Sequence, residues 1–358
     1  MAHPLATLRR RLLPAYQNQL RKLHELNYIF FELTHRCNLS CLHCGSDCVA
    51  DSGLPDLPAE TVLDVLAQIK AKYNPHGISV VLSGGEPLCY PGIFELGKKI
   101  TAMEFPWGMV TNGYAWDAQR LRMAQAAGML SVTVSLDGLE AAHDWLRAKK
   151  GSFKKAVNAI RLLVGADFLQ AMDVITCANI HNLDTLEEVA DLLVKLGVKE
   201  WRIFTISPIG RAVEHPELFL SPEQYAVLLE KIQNMRKRTD IRVALSESGY
   251  LGRHHELAVR DQYYFCSAGI STAGVMINGD MIACPNIDRR FAQGNVFNES
   301  FIDVWENKYQ IFRDRSWMKK DRCAGCREWK YCQGGPFHLW SPDAATTKLC
   351  HFKDFGLQ

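Results

Sequence analysis

The sequence predicts an α/β protein: an incomplete TIM-like (βα)6 barrel followed by a cysteine-rich lobe towards the C-terminus. Two observations carry that expectation. Short apolar strands alternate with amphipathic helices from residue 28 to about 206, and the cysteines gather towards the two ends of the chain. A third gives the orientation. Four successive strands run into polar or glycine-rich loops, on the face where a parallel barrel carries its chemistry.

Candidate strands are Tyr28–Leu33, Ile78–Leu82, Gly108–Thr111, Ser131–Ser135, Asp173–Cys177 and Trp201–Ile206, mostly short and rich in β-branched or aromatic residues. Helical periodicity falls near 59–73, 92–104, 117–127, 152–164 and 184–196. The last is the clearest. Asp184 offers a cap, Glu187 sits three residues on, Leu186, Val189, Leu193 and Leu196 share a face, and Gly197 ends it. Six βα repeats are too few for an eight-stranded barrel and suit an open one. The strand-end loops are Thr34-His35-Arg36-Cys37, Ser83-Gly84-Gly85-Glu86-Pro87, Thr111-Asn112-Gly113 and Ser135-Leu136-Asp137-Gly138. Ser221-Pro222-Glu223 opens a further helix, whose charged run Lys231 to Asp240 reads as a solvated end. Beyond about 245, turns such as Asn278-Gly279-Asp280 and cysteine pairs take over. The expected division is a basic N-terminal helix over 1–27, a barrel core over 28–245 and a cysteine-rich domain over 246–358.

With 358 residues, 47% hydrophobic and 22% charged, the chain has an ordinary folded composition and length for about two domains. A formal net charge of +2 gives no argument for nucleic acid. No apolar run approaches the roughly 20 residues that span a bilayer, and the N-terminus lacks the roughly 7–15-residue apolar stretch of a signal peptide. That segment reads as a helix, with Arg9, Arg10, Arg11, Arg21 and Lys22 beside Leu12, Leu13, Leu20 and Leu23. It packs on the domain with one solvated face, or docks on a partner or membrane surface. These features point to the cytoplasm, where twelve cysteines favour metal binding over disulfides.

Cys37, Cys41 and Cys44 deliver three thiolates from one tight loop. Thiolates are soft anionic ligands suited to iron–sulfur clusters, and three of them on a four-iron cubane leave one iron open. A structural zinc site competes on spacing alone; the position directly after the first strand favours the cluster. The segment FELTHRCNLSCLHC strongly resembles the signature of radical S-adenosylmethionine (SAM) enzymes. The resemblance implies a [4Fe-4S] cluster whose open iron is chelated by SAM, reductively cleaving it to a 5′-deoxyadenosyl radical that abstracts hydrogen from substrate. It implies an electron donor such as flavodoxin or ferredoxin. It places the loop Gly84, Gly85, Glu86 and Pro87 at the methionine amino group, Ser135, Asp137 and Arg147 at the carboxylate and ribose, and Asn112 as a further contact. His43, just before the third cysteine, takes the position of a residue near the adenine.

Cys266, Gly279 and Cys284, then Cys323-x2-Cys326-x5-Cys332 and Cys350, resemble the SPASM extension of peptide-modifying radical SAM enzymes; the whole resemblance spans residues 28 to 352. It implies an outer auxiliary cluster on Cys323, Cys326, Cys332 and Cys350, with a zinc ribbon as the alternative for paired cysteines. The family pattern has a further cysteine four residues after Cys332, where this chain has Pro336, so an inner cluster on Cys266 and Cys284 lacks a ligand. Cys48 reads as free or structural, since a fourth protein ligand would block SAM. Cys177 reads as strand core and Cys89 as packing. Trp329, Phe337 and Trp340 read as filling around a small metal lobe, and His338 as a lone histidine beside a Gly-Gly-Pro turn.

The SPASM-like tail implies radical modification of a peptide or protein side chain. Two alternatives stand beside it: radical SAM processing of a haem, tetrapyrrole or other small molecule, and a non-catalytic iron–sulfur electron-transfer protein. The sequence GSDC after the third cysteine, with Pro336, also resembles a branch of radical SAM/SPASM proteins associated with small lipoprotein partners.

Overall fold

The computed structural model describes residues 4–246 and 249–357. Seven parallel strands succeed one another: β1 (Tyr28–Glu32), β2 (Ser79–Ser83), β3 (Trp107–Thr111), β4 (Ser131–Ser135), β5 (Ala171–Ala178), β6 (Glu200–Thr205) and β7 (Arg242–Leu245). Six lie where the sequence predicts them. The seventh is only four residues long and follows the charged run, which hid it.

Strand alternation sorts the faces. Ile29, Phe31, Val80, Leu82, Val132, Val134, Trp201 and Ile203 are buried in the main core. Phe30, Val81, Val110, Thr133, Ile175 and Phe204 line a cavity of about 950 Å³ inside the barrel. The covering helices are α2 (Ala59–Lys72), α3 (Ile93–Ala102), α4 (Ala118–Ala126), α5 (Glu140–Leu146), α6 (Ser152–Val164), α7 (Leu186–Lys195) and α8 (Pro222–Met235), after an N-terminal α1 (Pro4–Leu23). In α7 the apolar face is as expected, but Asp184 is no cap. It lies in a 3₁₀ turn, Leu183–Thr185, that delivers the chain to a helix start without a side-chain cap. In α8 the cap is complete: Ser221 Oγ accepts the Gln224 N–H and Gln224 Oε1 accepts the Ser221 N–H.

The cysteine-rich segment continues the same sheet. β8 (Thr272–Val275) pairs in parallel with β1 on the side away from β2, and β9 (Asp280–Ile282) and β10 (Gly294–Asn295) extend it antiparallel. Hydrogen bonding therefore runs on across the expected boundary between residues 245 and 246. Gly279 turns the β8–β9 hairpin at φ +83, where a Cβ would meet the Phe297 ring at 2.6 Å. Phe291, Phe312, Trp317, Phe337 and Trp340 pack mutually to fill this region, Phe312 and Phe337 with ring centres 4.7 Å apart.

Helix α1 docks on the C-terminal segment. Leu13 is buried with Tyr250, Tyr264 and Tyr331, Gln17 Nε2 donates to the carbonyls of Tyr264 and Tyr331, and Arg10 pairs with Glu328 at 2.6 Å. Leu12 and Tyr16 stay exposed and wall a second cavity, of about 1120 Å³. Among the described residues no helix is long and apolar enough to cross a membrane.

Candidate active site

The cysteine loop after β1 is clamped by the glycine loop after β2. Gly85 N–H donates to Thr34 O at 2.7 Å and Glu86 N–H to Arg36 O at 3.0 Å. A Cβ on Gly84 would lie 2.3 Å from Thr34 O, and one on Gly85 2.4 Å from Arg36 O. The glycines are thus required by contact with the cysteine loop's backbone. Pro87 is buried at the start of a 3₁₀ turn that ends at Cys89.

Each of the three loop sulfurs faces at least one N–H donor. Asn112 Nδ2 lies 3.7 Å from Cys37 Sγ, Arg147 Nη1 3.6 Å from Cys41 Sγ, and the Cys48 N–H 3.4 Å from Cys44 Sγ. Donors placed on all three sulfurs suit anionic thiolates held on a cluster. Without metal, burial pushes Cys37 up to about 12 and Cys41 up as well, so cluster assembly must displace protons. The Cys48 thiol donates to Ser46 O at 3.8 Å and sits beside Cys44, whose thiol is brought below its ordinary value while that of Cys48 is raised. Cys48 thus has a structural role against Cys44.

Asn112 is a hub. Its Nδ2 also donates to Asn38 Oδ1 at 2.8 Å, and its backbone N–H to Glu86 Oε2 at 2.8 Å. Glu86, fully buried, further accepts the Thr111 hydroxyl at 2.7 Å and the Leu88 N–H at 3.3 Å, yet burial still pushes its carboxyl up. A dry carboxylate of this kind is stabilised by an incoming ammonium group.

Across the barrel mouth, Asp137 Oδ2 accepts from Arg147 Nε at 2.5 Å and Oδ1 from the Cys177 N–H at 2.8 Å. Burial alone would raise Asp137; the Arg147 guanidinium holds it below the usual carboxylate range. His43, kept neutral by burial with a value of about 4, has Nε2 3.9 Å from Asp137 Oδ2 and a buried Nδ1 with no hydrogen-bond partner among the described residues. His43, Asp137 and Cys177 offer ligand atoms within 4.8 Å of one another. A cation there would face Arg147, and both Asp137 oxygens are engaged, so the trio does not suit a metal. Cys177 packs against the buried group of Leu146, Ile206, Ala212 and Leu218, and it also borders the cavity on the face it shares with Asp173 and Ile175. Ser135 ends β4 buried, in phase with Thr133.

At the other end, Cys323, Cys326, Cys332 and Cys350 come together. Burial, then neighbouring Cys350 and Cys326, push Cys323 up to about 11; burial, then Cys350, Cys323 and Cys326, push Cys332 well up. Four thiols gathered in this way suit a closed cluster. Cys266 and Cys284 differ. They border the second cavity with Pro336 and His338, and no other cysteine among the described residues does. Burial would raise Cys266, but Arg315 and the backbone N–H groups of Phe337 and Ala268 bring it below the ordinary thiol value. Two thiols do not complete a cubane's ligand set. His338 is held neutral by burial, at about 4, and its Nε2 lies 3.2 Å from Ser207 Oγ.

Comparison with known proteins agrees with this geometry. The Radical SAM superfamily model matches residues 31–193, and the model of the SPASM iron–sulfur cluster-binding domain matches residues 266–327. Mycofactocin maturase MftC of Mycobacterium ulcerans is 30% identical over 311 residues, covering 85% of this chain and 81% of that protein. The chain belongs to the radical SAM superfamily. AdoMet-dependent heme synthase of Methanosarcina barkeri is 27% identical over 334 residues, covering 86% of this chain and 93% of that protein. The structure of Streptococcus suis SuiB bound to precursor peptide SuiA matches with a TM-score of 0.73 over 99% of this chain and 82% of that one, at 16% identity, which shows a shared fold. This radical SAM protein is accordingly an enzyme with a SAM-binding [4Fe-4S] cluster and a SPASM iron–sulfur domain, which answers the zinc and electron-transfer readings.

Proposed function

We propose that this radical SAM enzyme modifies a side chain of a peptide or protein that enters through the open side of the barrel. The observation that carries this reading is that the two cavities adjoin. Tyr28, Glu200, Arg202, Cys284 and Asn286 wall both, and the outer one is bordered by Leu12 and Tyr16 of α1 and by residues Tyr263 to Ser267. A passage of this form lets one residue reach inward while its flanking chain lies along the outer groove. MftC is a maturase, and SuiB was solved with a precursor peptide.

The proposed roles follow the geometry. Cys37, Cys41 and Cys44 hold the cluster. Glu86 receives the SAM ammonium group, supported by Gly84, Gly85 and Pro87; Arg147 and Ser135 take the carboxylate, Asp137 the ribose, and the unpartnered His43 Nδ1 faces the adenine. Asn112 orients Cys37 and Glu86 together. Cys323, Cys326, Cys332 and Cys350 hold the auxiliary cluster. When bound, the first cluster supplies the electron that cleaves SAM reductively to a 5′-deoxyadenosyl radical. The chain's part is to hold dry acceptors, compensate the sulfurs and exclude water around the reacting atoms. The proposed division is 1–27, 28–245 and 246–358, the compartment the cytoplasm, and the electron donor a flavodoxin or ferredoxin.

A tetrapyrrole substrate is the second reading, favoured by the heme synthase likeness over 93% of that protein. Anaerobic incubation with SAM, reductant and either short peptides encoded beside the gene or porphyrin carboxylates separates the two. The expected result is 5′-deoxyadenosine formed with a mass change on a peptide. A mass change on the porphyrin, with every peptide intact, overturns the first reading.

A further inference from the structure

The cysteine loop has two sides. Ser46, Gly84 and Cys177 belong to the cavity side. The other side faces solvent, bordered by Tyr114 and by the turn that joins α5 to α6. Tyr114 packs against the buried group of Cys37, Leu39, Cys41 and Cys48. Lys149 Nζ donates to Asn38 O at 3.1 Å and lies 4.7 Å from the Tyr114 ring centre; Lys155 Nζ lies 5.9 Å from the same ring. With Lys150 and Lys154 these form the run Lys149-Lys150-Gly151-Ser152-Phe153-Lys154-Lys155.

Nearby carboxylates leave most of this charge standing. Asp144 is engaged in shaping the turn, accepting the Gly151 and Phe153 N–H groups and the Ser152 hydroxyl. Glu140 pairs with Lys154 at 3.0 Å. Lys149, Lys150 and Lys155 have no carboxylate partner among the described residues. From this surface the path inward is short: Asn112 Nδ2 touches both Asn38 Oδ1 and Cys37 Sγ.

The geometry points to this lysine face as the docking surface for an acidic, low-potential one-electron carrier protein. The inference rests on the SAM-cleavage reading, which requires an electron from outside the chain. Each productive encounter oxidises the carrier by one electron and reduces the cluster by one, with no proton or group transferred. An ordinary solvated lysine face would carry no link to the cluster loop. Here one lysine is bonded to that loop, and the turn carrying the others is fixed by Asp144. The cavity lies on the loop's other side, so carrier and substrate do not compete for the same opening. Complementary charge of this kind acts mainly on the encounter rate and weakens with salt.

The test uses the full, anaerobically reconstituted chain with flavodoxin hydroquinone, following cluster bleaching by stopped flow. Two variants are compared with wild type: Lys150→Glu with Lys155→Glu, and the milder Lys150→Gln with Lys155→Gln. At low ionic strength the charge reversal is expected to slow flavodoxin-driven bleaching by roughly tenfold or more and the neutral variant by less. Wild type is expected to slow as salt rises, while dithionite-driven bleaching and 5′-deoxyadenosine formation stay equal in all three proteins. Flavodoxin rates equal to wild type in both variants overturn the docking surface alone. No 5′-deoxyadenosine from wild type with dithionite overturns the cleavage reading, and the surface with it.

Discussion

Arg147 donates from Nη1 towards Cys41 Sγ while Asp137 holds its Nε, so a first-loop sulfur is charge-compensated through a buried ion pair. Removing Asp137 leaves that guanidinium buried without its carboxylate. Asp137→Ala is expected to cost about 3–5 kcal/mol of stability, read from urea unfolding of the anaerobic protein. A loss well under about 1 kcal/mol would show that water or Cys41 already satisfies the charge.

Asn112→Ala removes the side-chain donor to Cys37 Sγ and Asn38 but keeps the backbone N–H on Glu86. Loss of a hydrogen bond to a cluster sulfur is expected to make the cluster's reduction potential more negative, and Asn112→Asp to shift it further in the same direction. Redox titration followed by EPR checks the order of the three proteins. An unshifted Asn112→Ala would mean that the donor serves only the loop.

Two histidines outside the thiolate sites set an acid limit. His143 Nδ1 accepts the Asp137 N–H at 2.9 Å, which requires a neutral ring, and burial holds both His143 and His338 at about 4. Their folded values lie below the unfolded value of 6.5, so the stability they contribute is present above pH 6.5 and lost as pH falls from 6.5 towards 4. The expected slope is at most about 1.4 kcal/mol per pH unit for each ring. Urea midpoints between pH 7.5 and 5 should fall in wild type and fall less steeply in His338→Gln.

Metal content distinguishes the two cysteine sets of the C-terminal segment. Two cubanes give about eight irons per chain. Cys332→Ala is expected to reduce this to about four, whereas Cys266→Ser is expected to leave it near eight. Iron and sulfide analysis with Mössbauer spectra reads both; about twelve irons in wild type would restore an inner cluster despite Pro336.

The strand-to-loop order, and the gathering of Cys37, Cys41 and Cys44 in one loop, are legible because each rests on local spacing or period-two alternation. Cys177 packs as an apolar strand residue should, but its place on the cavity is not legible: an apolar-looking strand hides which parity faces a cavity. The contacts of Asn112 with Cys37, Asn38 and Glu86 are not legible, because those residues lie far from it in sequence. Gly84 and Gly85 were located correctly, but only tertiary contact shows that their smallness serves Thr34 and Arg36. Asp184 failed as a cap because the chain enters α7 through a 3₁₀ turn, a choice that residue type does not announce.

The pairing of β8 with β1 bears on the order of assembly. β1 carries the first cysteine loop, and one of its two edges is completed only by Thr272–Val275, near the far end of the chain. During synthesis that edge stays open until most of the protein has emerged, and closing it is a long-range, entropically slow step. The thiols at 37, 41 and 44 therefore spend the growth of the chain on an unfinished sheet. Iron–sulfur insertion there is expected to follow chain completion, with the C-terminal strands acting as the latch that makes the first loop rigid.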